Sequence, residues 1–232
     1  MKADLHIHSH YSEDSWTKID AIIKSAVKHG IRCIAITDHD EFRAHLDIKD
    51  DRVIVIPAEE VSSAEGHILA YGIDRHIPKG MGVKETIDAI HEAGGIAIAA
   101  HPYRYHSGLG EHNIIPEFDG VEALNGWSKK NDNDRSNALA HSFGKIVTAG
   151  SDAHNAGRVG ESWVILPDTV TTWQEAVEAI KAGVTEMYSK NRSTFGTVKY
   201  VTKSTLLWFK RGGRRMDRRP VRTKKINKKI DE

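Results

Sequence analysis

Residues 2–10 read Lys-Ala-Asp-Leu-His-Ile-His-Ser-His, and this stretch decides how the rest of the chain is parsed. Ala3–His8 has the alternation of a half-buried strand, so His6 and His8, two residues apart, point the same way and can reach one ion. A lone His-x-His on a surface strand would carry little weight. Here the pattern recurs at the ends of four more apolar runs. Cys33–Thr37 leads into Asp38-His39, Val53–Ala58 into Glu59-Glu60, Ile96–Ala100 into His101-Pro102, and Ile146–Gly150 into Ser151-Asp152-Ala153-His154. Chance would scatter such groups over both strand ends, whereas barrel enzymes gather their active-site residues at the carboxyl-terminal edge. His67, which opens the run GHILAYG, and Asp14, in the loop after the first strand, join the set.

Working outward, β-rich runs alternate with amphipathic helical patterns, which predicts βα units and a mostly parallel sheet. Strands are expected at Ala3–His8, Arg32–Thr37, Val53–Ala58, His67–Ile73, Ile96–Ala100, Gly120–Ala123, Lys145–Ala149 and Trp163–Leu166. Helices are expected at Lys18–His29, Lys84–Ala93, Asp134–Phe143 and Thr172–Ala182, each followed by a glycine stop signal at Gly30, Gly94, Gly144 or Gly183. The short Ser/Gly-containing link between the third and fourth strands leaves no room for a crossover helix, so a hairpin and an irregular barrel are expected there. No internal repeat is present.

At 232 residues the chain is long enough to bury a core without disulfides or structural zinc. Its single cysteine, Cys33, rules out a disulfide framework and a thiolate zinc site; within the run Ile31–Thr37 it reads as a buried structural thiol. Residues 1–209 are expected to form one domain, which holds all 14 histidines. Residues 210–232 carry eleven Lys/Arg against three Asp/Glu, a net +8 that leaves the body at −7 within an overall +1. This basic tail, broken by Gly212, Gly213 and Pro220, is expected to be poorly ordered and is a candidate nucleic-acid contact. No apolar run approaches a membrane span, and no leader is apparent at the start, so a cytoplasmic protein with no membrane partner is expected.

The candidate ligands are His6, His8, Asp14, His39, one carboxylate of the Glu59-Glu60 pair, His67, His101, Asp152 and His154. Adjacent strand residues face opposite ways, so only one member of that pair can join. This nitrogen and oxygen set without thiolate suits zinc, manganese or iron, and its size implies two or three ions with a bridging carboxylate. Paired ions of this kind stabilise the attacking and leaving oxygens of phosphoester cleavage.

The ordered series DLHIHSHYSEDS, ITDHD, PAEEVS with GHILAYG, AAHPYR and GSDAH resembles the PHP family, named for polymerase and histidinol phosphatase, over residues 3 to 160. The resemblance implies a distorted (β/α)7 TIM-like barrel, a trinuclear metal centre and phosphoester hydrolysis. Carried over by position, it implies that His6, His8, Glu59 and Asp152 hold one ion, Glu59, His67 and His101 a second, and Asp14, His39 and His154 a third. Glu59 is chosen over Glu60 from the family pattern. Asp14 is preferred to Glu13 on its spacing from His6.

On this reading an ion lowers the pKa of its water from 15.7 towards roughly 7, so no serine or cysteine nucleophile is needed. His6, His8, Glu59 and Asp152 then act catalytically through that water. Arg104 and Arg158, just past ligand positions, are candidate grips for substrate phosphate. His10 and His106 are weak substrate-contact candidates; the remaining histidines receive no role. No phosphate-binding glycine loop or nucleophile elbow is present, so no nucleotide cofactor is expected. The favoured substrate is a small phosphomonoester or nucleotide-type phosphate. The alternatives are a nuclease that uses the basic tail and a non-catalytic metal-binding module.

Overall fold

The structure, a computed structural model, describes residues 1–191; the tail at 210–232 and the end of the expected 1–209 domain lie outside the described residues. The elements in order are β1 (Lys2–Ile7), α1 (Ile19–Lys28), β2 (Ile31–Ile36), β3 (Ile54–Ile56), β4 (Ala58–Ser62), β5 (His67–Tyr71), α2 (Val83–Glu92), β6 (Ile96–Ala99), β7 (Gly120–Asn125), α3 (Lys130–Ser142), β8 (Ile146–Gly150), β9 (Ser162–Ile165), α4 (Trp173–Lys181) and β10 (Met187–Ser189). α1, α2 and α4 form where an apolar stripe recurs at helical spacing, whereas α3 buries Asn133 and Ser136 beside Leu139 and Ala140. In α1 the buried positions are Ile19, Ile22, Ile23 and Ala26. At α4 the Thr172 hydroxyl accepts the Glu175 backbone N–H at 3.2 Å, and the Glu175 carboxylate accepts the Thr172 N–H in return. α3 starts at Lys130, one turn earlier than expected.

Two expectations are corrected. The run Val53–Ala58 is not one strand: Pro57, which has no N–H to give a ladder, separates β3 from β4. The sheets are not mostly parallel, since four strand pairs are parallel and four antiparallel. The expected hairpin is β4–β5, with Ser62 paired to His67, and β5 also runs antiparallel to β6. β10, an edge strand beside β9, carried too short an apolar run to be foreseen.

The strands form two five-stranded sheets, ordered β10-β9-β1-β2-β3 and β4-β5-β6-β7-β8. Two backbone seams join them. Asp152 N–H donates to His6 O at 2.7 Å and His8 N–H to Ala153 O at 3.0 Å on one side; Glu60 N–H donates to Asp38 O and Asp40 N–H to Glu60 O on the other. Leu5, Cys33, Leu69, Tyr71, Ile98 and Ala149 from both sheets share one buried cluster, and α4 closes it with Val177 and Ile180. α2 and α3 cover the second sheet on its other face, and α1 covers β1 and β2.

The site is prepared by a fault in β1. Leu5 packs in the shared cluster while Ile7 packs against α1, although residues two apart in a regular strand face the same side. The pairing with β2 shifts register between Asp4 and Ile7, and this switch turns His6 and His8 inward.

Candidate metal centre

Five of the expected ligands, all histidines, converge on one carboxylate, Glu60. Its Oε2 lies 3.1 Å from His6 Nε2, 3.2 Å from His8 Nε2 and 3.2 Å from His39 Nδ1. Its Oε1 lies 2.7 Å from His67 Nδ1 and 2.9 Å from His101 Nε2. Asp152 Oδ1 completes the inner group, 3.2 Å from His8 Nε2 and 3.7 Å from His6 Nε2. Beside it His154 Nε2 meets Asp14 Oδ2 at 2.7 Å, and His39 Nε2 lies 3.5 Å from the same oxygen. Donor atoms close enough to share an ion fall into overlapping groups: His8, Asp14, His39 and His154; His6, His8 and Glu60; His6, His101 and Asp152; and His39, Glu60 and His67.

Glu59, the family-based choice, is not in this cluster. Its Oε1 accepts the Ile77 backbone N–H at 2.6 Å and its Oε2 lies 2.9 Å from His76 Nδ1. The alternation of β4 sends it to the opposite face, and Glu60 takes the central place. Asp14 is the loop carboxylate that joins. His67 reaches the common edge because β5 runs antiparallel to β4, which puts its first residue beside Ser62 at the end of β4. Arg104 Nη2 lies 2.5 Å from Asp152 Oδ2 and donates to Asn125 Oδ1 at 2.8 Å. Arg158 is tied to Glu161 and the Gly126 carbonyl and stacks over the Trp127 ring, which meets His154 edge-on. His10 packs at a tilt against Tyr11 and His106 meets Tyr105 edge-on, outside the cluster.

Close backbone approach makes the cluster possible. A Cβ at Gly150 would stand 2.2 Å from His6 Cβ, so only glycine lets the end of β8 lie against β1. Among the described residues the non-glycine positions of positive φ are Asp40 (51°), His101 (28°) and Asp152 (51°), all in or beside the candidate set. Such conformations cost roughly 1–3 kcal/mol each and persist where surrounding contacts fix them. The loops are pinned from outside: Asp38 accepts both the Ser9 N–H and hydroxyl at 2.6 Å, and the Ser12 hydroxyl, 3.0 Å from His8 Nδ1, accepts the His39 N–H at 2.9 Å.

Buried and crowded, the charges shift one another. Burial would raise the Glu60 carboxyl, but His39, His6 and His67 outweigh it and hold Glu60 well below the usual range. Asp152, also opposed by burial, is drawn well down by Arg104 and His6. Burial works to lower His6, yet Asp152, Glu122 and Glu60 carry it well above an ordinary imidazole. His101 falls to about 4 through burial and Arg104. The cluster therefore favours cations, which metal ions would replace with release of protons.

The donor set fits divalent metal. It offers imidazole nitrogens and carboxylate oxygens without thiolate. His39 Nδ1, His101 Nδ1 and Asp152 Oδ1 are buried with no well-formed hydrogen bond. Buried polar atoms ordinarily find a partner, and two of these lie within the cluster, His39 Nδ1 3.2 Å from Glu60 Oε2 and Asp152 Oδ1 3.2 Å from His8 Nε2.

A family model described as PHP-associated matches residues 130–185. An uncharacterized protein of Methanocaldococcus jannaschii is 38% identical over 144 residues, 56% of this chain and 84% of that protein. A two-domain protein from Bacteroides vulgatus containing a predicted PHP-like metal-dependent phosphoesterase superposes with a TM-score of 0.61 at 18% identity, over 82% of this chain and 64% of that one. The lesion-specific endonuclease Q of Pyrococcus furiosus superposes with a TM-score of 0.59 at 18% identity, over 81% of this chain and 58% of that one. The chain thus spans less than two thirds of either solved structure.

Proposed function

This chain belongs to the PHP family, and on that premise we propose that it is a metal-dependent phosphoesterase acting on a phosphomonoester or nucleotide-type phosphate. The observation that carries the reading is the convergence of five histidines on Glu60, with Asp152 beside them. His6, His8, Glu60 and Asp152 would hold one ion, Glu60, His67 and His101 a second, and Asp14, His39 and His154 a third. Bound there, zinc, manganese or iron would supply Lewis-acid activation of water and of the phosphoryl group. The two hydrogen-bonded seams support the distorted barrel of the family, with this centre at its carboxyl-terminal mouth.

The chain's own groups divide the remaining work. Glu60, with one oxygen toward His6, His8 and His39 and the other toward His67 and His101, would be the carboxylate shared between ions. Asp14, its carboxylate held by His154 and half exposed at the rim, borders the approach to the centre. Arg104 is engaged by Asp152 and Asn125, so a grip on substrate phosphate would require it to share those contacts. Arg158 is held by Glu161 and the Gly126 carbonyl and would contact phosphate only at the rim.

The likeness to endonuclease Q and the +8 tail favour nucleic-acid phosphodiester as a second substrate reading. No helix among the described residues is long and apolar enough to cross a membrane, which is compatible with a cytoplasmic setting. The test is hydrolysis of a generic phosphomonoester and of a DNA or RNA phosphodiester by chelator-stripped protein reloaded with manganese, zinc or iron. Metal-restored turnover of the monoester supports the first reading, and preference for the diester, falling with salt, supports the second. Bound metal without turnover of either ester would favour a non-catalytic module.

A further inference from the structure

Beneath the histidines lies a second layer of buried polar groups, contributed by β7. Glu122 is 1% exposed and Asn125 fully buried. Glu122 Oε1 lies 2.9 Å from His6 Nδ1, while its Oε2 accepts the His101 backbone N–H at 2.9 Å and an Asn125 Nδ2 proton at 3.0 Å. Asn125 Nδ2 also reaches Asp152 Oδ2 at 3.2 Å. Its Oδ1 is taken by Arg104 and by the Trp127 and Ser128 backbone N–H groups. Neither residue belongs to any of the candidate ligand groups.

A regular strand could not build this layer, because residues three apart face opposite sides. The β7–β8 register shifts between Glu122 and Leu124, and that irregularity lets Glu122 and Asn125 hydrogen-bond to each other. A bulge has the effect of re-aiming a side chain, and here it aims two polar groups at three candidate ligands from three separate strand ends.

We propose that Glu122 is a positioning residue for the metal centre, supported by Asn125. By accepting the His6 Nδ1 proton, Glu122 leaves the Nε2 lone pair directed at Glu60, His8 and Asp152. Its other oxygen anchors the backbone of His101 in the uncommon conformation of φ 28°. Asn125 and Arg104 together occupy Asp152 Oδ2, which leaves Oδ1, the oxygen without a well-formed hydrogen bond, as the atom presented to an ion. The inference rests on the metal-centre reading and adds to it which outer groups set the ligands.

The test is titration of the full-length chain with cobalt(II), followed by its visible absorption, in wild type, Glu122→Ala and Glu122→Gln. Loss of an outer carboxylate partner typically weakens metal binding roughly 10–100-fold. Glu122→Ala is expected to lose affinity by that factor and to shift the cobalt band. Glu122→Gln should recover part of the loss, because an amide oxygen still accepts from His6 but its NH₂ cannot accept from His101. Wild-type affinity and spectrum in both variants would overturn the proposal. If circular dichroism shows that neither variant folds, Asn125→Ser decides the matter through Asp152: a shifted, weakened spectrum supports the layer and an unchanged one overturns it. A wild-type chain that takes up no cobalt would overturn the metal centre itself, and this inference with it.

Discussion

Glu59 and Glu60 stand side by side in β4 and face opposite sides of it, Glu60 into the histidine cluster and Glu59 onto His76 and the Ile77 backbone. The pair gives an internal control, since the two substitutions remove the same carboxylate from neighbouring positions. Glu60→Ala should abolish metal-dependent turnover. Glu59→Ala should keep turnover and lower stability by about 1–3 kcal/mol, the cost of leaving the buried Ile77 N–H unpaired. Turnover assays beside denaturant unfolding check both.

Asp152→Ala and His8→Ala should each reduce hydrolysis by more than the roughly 10–100-fold that loss of an outer-layer partner costs. The apolar cluster shared by the two sheets contains neither residue, so the fold should survive. Far-UV circular dichroism of the metal-free variants, beside their turnover, checks this.

Gly150→Ala should be among the most damaging single-methyl changes in the chain, because the added carbon would stand 2.2 Å from His6 Cβ and 2.5 Å from His6 N. Overpacking of this kind costs typically about 1–3 kcal/mol, and here the displaced atoms belong to a candidate ligand. Gly157→Ala, whose added carbon would meet only Asn155 Oδ1 at 3.3 Å, is the control. Thermal unfolding and metal uptake of the two variants should diverge.

Burial pushes the Cys33 thiol from 9.0 up to about 12. Native protein should therefore resist a thiol-directed disulfide reagent at pH 8 and react fully once unfolded. The linkage has one sign: the folded chain keeps its proton where the unfolded chain loses it. This contribution to stability is whole below pH 9 and is lost as pH rises toward 12, by up to about 1.4 kcal/mol per pH unit. Denaturant unfolding of Cys33→Ala against wild type across that range should show the difference.

The sequence made the strand ends legible, because His and carboxylate repeat after five apolar runs and a common edge is the economical explanation. The choice between Glu59 and Glu60 was not legible in the same way. Alternation settles faces only once the start of a strand is known, and Pro57 restarts the count at Ala58. The run Val-Ile-Val-Ile-Pro-Ala-Glu-Glu gave no sign of which neighbour the second segment would join. Glu122 and Asn125 were missed for a related reason. Gly120–Asn125 reads as an ordinary strand, and the register shift that brings the two together arises from pairing with β8. A buried acid in an apolar strand, Val-Glu-Ala-Leu, was the one available signal. The antiparallel β4–β5 pair was legible from its short link, whereas the antiparallel pairing of β5 with β6 and of β9 with β1 and β10 is a tertiary choice that local periodicity does not encode.

The most direct test of the central claim is the number of metal ions per chain, by elemental analysis, in protein reloaded with manganese or zinc. The account predicts roughly two to three ions in wild type, fewer in Glu60→Ala and an unchanged count in Glu59→Ala. A metal-free wild type, or a Glu60→Ala variant that holds its full complement, would contradict it.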